Sequence, residues 1–253
     1  MVFDDFYVWV LRNLGVDLSA YKQAQMTRRI ESIMQRSGVK TLSEYKMLLE
    51  INKAEREKFL DFITINVTEF FRNKNLFEEL EELLKKEYFD EKKMVNIWSA
   101  ACSIGCEPYS IAMILKEHRV RHYNIIATDI DDTALKKAKE GIYSVTEVKN
   151  MDKKYLKYFT MVNDEYRISE EIKSMVNFRK NDLIIDNYGK NFDLILCRNV
   201  VIYFNSDIKE KIYKKFSTAL NKNGILFVGA TESIYTSEKI GFKKCSTFMY
   251  RKI

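Results

Sequence analysis

Apolar side chains return every three to four positions through roughly the first 65 residues, the spacing of helices with one buried face. Phe6, Val10 and Leu14 form such a stripe, and Gly15 follows where a helix would stop. Ser19 is a candidate cap for a second helix that ends at Gly38. Thr41 and Glu44, in T-L-S-E, have the spacing of a capping box and open a third. A fourth carries Phe59, Phe62 and Ile63. This part reads as all-helical.

From about Met94 the rhythm changes. "MVNIWSA" and "YNIIATD" are apolar runs of strand length, each followed by a helical pattern: "EPYSIAMILKEH", with Pro108 in a favoured first-turn place, and the stretch around Ala134 to Lys139. "MVNFRKND", "FDLILCRN", "GILFVGA" and "TFMYRKI" supply further strands, and "SDIKEKIYKKFSTAL" an amphipathic helix. Strands alternating with helices predict an α/β fold, a mostly parallel sheet of the Rossmann-like kind. Between the second and third strands, roughly 145–174, "YFTMVNDEYRIS" reads as two short strands joined at Asn163–Asp164, a small antiparallel β insert.

Composition narrows the class. The chain is 46% hydrophobic and 31% charged, as a soluble globular protein is. No apolar run approaches the ~20 residues of a membrane span, and Asp4 and Asp5 beside Phe3 and Phe6 do not make a signal peptide. A cytoplasmic location without membrane insertion is expected. The four cysteines lack zinc-site pairing, and His118 and His122 lie on another segment, so no metal is expected.

Three elements fall outside the carboxyl ends of the predicted strands, where such sheets bind ligands. Gly105, in "SAACSIGCEPYS", permits close backbone approach before a helix N-terminus. Asp129 ends the second strand, where a carboxylate can accept both ribose hydroxyls. Asp182 and Leu183 follow the next strand, placed for the edge and face of an adenine. A dinucleotide needs a G-x-G-x-x-G turn for its pyrophosphate, and this turn has one glycine. Glu107 beside it suits the amino group or sulfonium of S-adenosylmethionine better than a phosphate.

The stretches "INVTEFFRN" (65–73), "WSAACSIGCEPYSIAMIL" (98–115), "ATDIDDTALKKAKEGIY" (127–143), "CRNVVIYF" (197–204) and "GILFVGATES" (224–233) occur in fixed order over nearly the whole chain. Through them the chain resembles the chemotaxis receptor methyltransferases of the CheR type. The resemblance implies a Rossmann-like class I S-adenosylmethionine methyltransferase domain at 71–253, behind a helical receptor-docking domain and linker at 1–70. It implies that Asn66, Thr68 and Arg72 reach the cofactor, that Glu107 and Asp129 hold its methionine and ribose parts, and that Asp182 and Leu183 meet the adenine. Arg198 and Asn199 line the cleft, and Arg72 and Tyr203 stand near the transferred methyl. The products are S-adenosylhomocysteine and a glutamate methyl ester on the cytoplasmic helical domain of a chemoreceptor. Cys106 departs from the small or acidic residue common in the family; a thiol fits there and offers a site for alkylation.

A glutamate side chain with pKa near ~4.3 is already the nucleophilic anion at neutral pH, so the transfer needs no general base, metal or covalent intermediate. Lys22, Arg29 and Arg36 lie seven apart along one helix side, flanking Met26, Ile30 and Ile33, with Arg28 on a neighbouring side. A basic patch of this kind suits docking to an acidic helical bundle. Tether-binding members of the family have a longer, glycine-containing hairpin in the insert. Here no glycine occurs between Gly141 and Gly189, so the receptor's C-terminal pentapeptide is expected not to bind. A nucleic-acid methyltransferase is disfavoured: D/N-P-P-Y/F and Pro-Cys signatures are absent, and the net charge of +6 is mild. A non-catalytic module that binds S-adenosylmethionine or docks receptors is the remaining alternative, and Arg72 together with Tyr203 speaks for chemistry.

Overall fold

The computed structural model describes residues 1–64, 66–89 and 93–253. Ile65, the first residue of "INVTEFFRN", lies outside the described residues. The chain divides into two compact units: Met1–Asn66 with Ile202–Glu210, and Val67–Val201 with Lys211–Ile253.

The first unit is built on helices α1 (Phe3–Leu14), α2 (Gln23–Arg36), α3 (Leu42–Ile51) and α4 (Lys53–Thr64). α1 ends because Gly15 turns left-handed, φ 73°, and returns its N–H to the Leu11 carbonyl. The predicted capping box forms: Glu44 N–H donates to Thr41 Oγ1, and Glu44 Oε2 accepts from Thr41 N–H. Phe6, Tyr45 and Phe59 pack with ring centroids 5.8–6.2 Å apart, and all three are buried. Ser19 does not cap α2. Asp17 Oδ1 accepts both the Ser19 amide and its hydroxyl, which commits Ser19 to a 3₁₀ turn at Leu18–Ala20, so α2 starts at Gln23. Ile202–Glu210 joins this unit through backbone pairing. Tyr21 and Phe204 form an antiparallel bridge, Lys22 N–H donates to Tyr203 O at 2.9 Å, and Asn205 N–H donates to Ala20 O at 2.9 Å. Nothing in the periodicity marks that return.

The second unit opens with α5 (Lys74–Glu87), which the pattern reading passed over although Phe77, Leu80 and Leu84 recur at helical spacing and are buried. Then follow β1 (Val95–Ala100), α6 (Cys106–Glu117), β2 (Tyr123–Asp129), α7 (Asp132–Glu140), β3 (Ile142–Tyr143), α8 (Val145–Val148), β4 (Phe159–Val162), β5 (Glu165–Ile168), α9 (Glu170–Lys173), β6 (Val176–Lys180), β7 (Phe192–Cys197), α10 (Ser206–Ala219, counted here from Lys211), β8 (Leu220–Val228), β9 (Phe242–Lys244) and β10 (Met249–Lys252). The main sheet runs β6-β2-β1-β7-β8-β10-β9. β6 through β8 are parallel, and β10 and β9 close the edge antiparallel. β7 is buried at all six positions, as a central parallel strand covered on both faces must be. The chain leaves β1 toward β2 on one side and later comes back to β7 on the other, so the order reverses beside β1. That reversal opens a crevice at the carboxyl ends.

The small sheet β3-β5-β4 is antiparallel. Asn163 (φ 50°) and Asp164 (φ 61°) join β4 to β5 with both central residues left-handed, the two-residue hairpin expected from the sequence. Among the described residues, no helix is long and apolar enough to cross a membrane.

Candidate cofactor site at the carboxyl edge of the sheet

The loop from β1 to α6 is the most contorted backbone near the crevice. Ala101 (φ 59°), Ser103 (φ 50°) and Gly105 (φ 87°) alternate through left-handed conformations. Strain of this kind persists only where surroundings over-determine it, and it collects at functional sites. Ser103 N–H donates to Asp129 Oδ2 at 2.7 Å and Cys102 N–H to Thr128 O at 2.9 Å, which pin the loop to the end of β2. Gly105 is required by this conformation and by packing. A Cβ there would meet Ala138 Cβ at 3.0 Å and Phe178 Cζ at 3.1 Å, so its flank faces α7 and β6.

Three carboxylates stand at this edge. Asp129 is 6% exposed; Oδ1 accepts from Asp131 N–H at 3.0 Å and Oδ2 from Ser103 N–H at 2.7 Å, and the Ile130 amide also donates to the carboxylate. Burial pushes its pKa up to about 6 despite those amides. Glu107, in the first turn of α6, accepts from Ser99 Oγ at 2.8 Å and faces Arg198 Nη1 at 3.5 Å. Burial raises its pKa, and Arg198 pulls it back. Asp182 uses Oδ1 to accept from Ile184 N–H at 2.7 Å, while its buried Oδ2 has no hydrogen-bond partner. Burial raises Asp182 as well. Burial holds the Cys102 thiol well above its usual range, and the charges of Asp129 and Glu107 push it further. An edge of buried acidic groups repels a pyrophosphate and suits a ligand offering hydroxyls, an amine and a positive charge.

Arg198 and Asn199 follow β7. The Arg198 guanidinium lies between the rings of Phe77 (5.2 Å) and Phe227 (4.6 Å) and donates through Nη2 to Arg72 O at 2.8 Å and Asn73 Oδ1 at 2.9 Å. Asn199 is left-handed, φ 61°, with Oδ1 buried and lacking a partner. Its N–H donates to Glu232 Oε2 at 3.0 Å, which also accepts from Gly229 N–H at 2.5 Å. Gly229 must be glycine, because a Cβ would stand 2.7 Å from that oxygen and 2.8 Å from Asn199 N.

Glu232, inside the "GATES" motif, is a site-edge residue whose only sequence signal is an acidic side chain in an otherwise apolar, strand-ending stretch. Lys215 of α10 was also missed. Its Nζ donates to the carbonyls of Leu183 (3.1 Å), Ile184 (3.3 Å) and Asp186 (2.6 Å), holding the loop that carries Asp182. A lysine on an amphipathic helix gives no sequence sign of that.

The linker residues divide. Thr68 and Arg72 belong to the second unit, Asn66 and Tyr203 to the first. Thr68 places its hydroxyl against the Cys106 thiol. Arg72 is half-buried and donates to Val67 O at 3.0 Å. Asn66 Nδ2 donates to Thr64 Oγ1 at 3.1 Å. The alkylation expected at Cys106 is not supported: the side chain is 0% exposed and burial holds its thiol well above the usual range, so little thiolate is present to react.

Within the first unit, Tyr203 lines a groove of about 350 Å³ with Tyr21, Lys22, Met26, Arg28 and Arg29. Lys22, Arg28 and Arg36 are exposed, whereas Arg29 is half-buried over the Phe62 ring (4.7 Å) and donates to the Phe62 carbonyl. Arg29 therefore also has a structural task, which leaves Lys22, Arg28 and Arg36 as the exposed basic residues of this set.

A parallel-centred sheet with a contorted first loop and acidic strand ends is a Rossmann-like α/β fold with a candidate nucleoside site at its carboxyl edge. Residues 66–250 match the family described as CheR methyltransferase, SAM binding domain, and residues 1–64 match CheR methyltransferase, all-alpha domain. The chain is 38% identical over 246 residues to the chemotaxis protein methyltransferase of Listeria monocytogenes, covering 96% of this chain and 94% of that one. It is 34% identical to that of Borreliella burgdorferi (94% and 90% covered) and 31% identical to that of Escherichia coli (91% and 83%). The chain belongs to the CheR methyltransferase family, and its second unit is the S-adenosylmethionine-binding methyltransferase domain.

Proposed function

We propose that this protein transfers a methyl group from S-adenosylmethionine to glutamate side chains on the cytoplasmic helical domain of bacterial chemoreceptors, forming glutamate methyl esters and S-adenosylhomocysteine in chemotactic adaptation. The observation that carries the reading is the row of carboxylates along the carboxyl edge of the sheet, where Asp129 and Asp182 are buried and Glu107, 13% exposed, faces Arg198. Residues 1–70 form the receptor-docking domain and linker, 71–253 the methyltransferase domain, and the reaction is cytoplasmic.

When bound, S-adenosylmethionine supplies an electrophilic methyl group open to in-line displacement. Asp129 accepts the ribose hydroxyls, Glu107 meets the amino group, and Asp182 with Leu183 takes the edge and face of the adenine. Asn66, Thr68, Gly105, Arg198 and Asn199 complete the cleft. Arg72 orients the substrate carboxylate, and the Tyr203 hydroxyl donates to it. The substrate is an anion at neutral pH, so these residues position and exclude water rather than remove a proton. Pairing by Arg72 must stay weak, since a tight ion pair would blunt the nucleophile.

In steady-state assays with receptor fragments, Arg72→Ala and Tyr203→Phe are expected to lower kcat ~10–100-fold while S-adenosylmethionine affinity changes by less than ~3-fold. Losses confined to affinity would remove both from the methyl-transfer step. The compact Asn163–Asp164 hairpin has no glycine at the turn. Titration with receptor C-terminal pentapeptides is therefore expected to show no binding at micromolar concentration; saturable low-micromolar binding would overturn that.

A further inference from the structure

Residues 69–74 carry Arg72 and are gripped, almost residue by residue, by the small β insert. Glu69 Oε2 accepts from Asn150 Nδ2 at 2.8 Å. Phe70 N–H donates to Glu147 O at 2.9 Å, and its ring meets Tyr143 at 4.8 Å and Phe159 at 5.1 Å, both edge-on. Phe71 stacks on Tyr155, centroids 4.3 Å apart and planes at 19°. Lys74 pairs with Asp152.

The opposite side of the segment is held as firmly. The buried Ser110 Oγ accepts from Phe71 N–H at 3.0 Å and donates to Cys106 O at 2.7 Å. Arg198 holds Arg72 O and Asn73 Oδ1. Between these supports Phe71 (φ 52°) and Asn73 (φ 61°) are both left-handed, so Arg72 stands between two disfavoured residues. A bulky side chain such as phenylalanine keeps that conformation only when its surroundings impose it.

We propose that the insert is an internal clamp that sets the direction of Arg72 for methyl transfer, with Tyr155 as the principal positioning residue. The inference rests on the role given to Arg72 above. It assigns the insert a task within this chain that needs no receptor peptide. The rings of Phe70 and Phe71, the exposed Asn150–Glu69 contact and the Lys74–Asp152 pair act together, and loosening them lets the left-handed turn relax and swings Arg72 off line.

The test is a double-mutant cycle on kcat with receptor fragments at saturating donor. Tyr155→Leu, which keeps apolar volume but loses the stacked ring, is expected to lower kcat ~10–100-fold with donor Kd and receptor KM changed less than ~3-fold. Tyr155→Phe, which keeps the ring, restores wild-type turnover. Asn150→Ala with Asp152→Ala, made at the exposed contacts so that the core is untouched, lowers kcat in the same selective way by a smaller factor. In an Arg72→Ala background, Tyr155→Leu causes no further loss, because the clamp acts only through Arg72. Losses that multiply, or that appear in KM or Kd with kcat intact, overturn the clamp. If Arg72→Ala lowers kcat and Tyr155→Leu does not, the clamp alone fails; if Arg72→Ala leaves kcat unchanged, the reading of Arg72 fails and the clamp with it.

Discussion

Asp129→Ala is expected to weaken S-adenosylmethionine binding ~10²–10⁴-fold in calorimetric titration of a folded variant. A hydrogen bond to a charged group contributes about 1.5–3 kcal/mol, so two ribose hydroxyls on one carboxylate account for roughly 3–6 kcal/mol. The loss includes a second contribution, because Asp129 also holds Ser103 and Asp131 N–H and so shapes the loop after β1. The pH dependence carries the same signature. Burial raises the Asp129 pKa from 3.8 to about 6. Between those values the folded protein binds a proton that the unfolded chain releases. The ligand-free fold is thus favoured by this group at low pH and loses ~3 kcal/mol of that advantage as pH rises through about 6. Cofactor binding runs the other way. Hydroxyl donors need the carboxylate, so affinity rises as pH passes about 6 and then levels, and Asp129→Asn removes the portion due to this group. Unchanged affinity in a folded Asp129→Ala protein would sink the ribose assignment.

Arg198→Met is expected to lower unfolding stability by about 3–5 kcal/mol in denaturant melts, the usual cost of stripping a buried charge of its partner. Methionine fills the slot between Phe77 and Phe227, so the loss is electrostatic more than steric. It leaves Glu107, largely enclosed, with Ser99 as its hydrogen-bond donor. It also leaves Arg72 O and Asn73 Oδ1 without their donor. Glu107 then takes up a proton at higher pH than in the parent protein, since the pull of Arg198 on its raised pKa is gone. A stability change under about 1 kcal/mol would mean that the pair is solvated rather than buried.

β1, β2, β7 and β8 were legible because each carries an apolar run of strand length, the pattern left by burial on two faces, whereas the edge strand β6 carries exposed Asn177, Arg179 and Lys180. Asp129 and Asp182 were legible as acidic residues at or just past strand ends. The Thr41–Glu44 box and the Asn163–Asp164 turn were legible because their chemistry is local. What stayed hidden depends on partners far along the chain. Ile202–Glu210 joins the first unit by backbone bonds to Ala20 and Lys22, and backbone bonds leave no side-chain trace. Lys215 looks like any surface lysine until the carbonyls of Leu183, Ile184 and Asp186 are seen around it. Arg29 shows the converse. Its place on a basic stripe suggested a free charge, yet its guanidinium is spent on Phe62. β9 escaped because three residues, two of them lysine, carry no alternation to read.

The central claim is that a glutamate carboxylate receives the methyl group. The direct measurement is transfer of labelled methyl from S-adenosylmethionine to a receptor cytoplasmic fragment, followed by mild alkali and collection of volatile methanol. The expected result is label that alkali releases as methanol, absent with Asp129→Ala enzyme and absent when the methylated glutamates of the fragment are replaced by alanine. Label that survives alkali, or no label on receptor fragments at all, would contradict it.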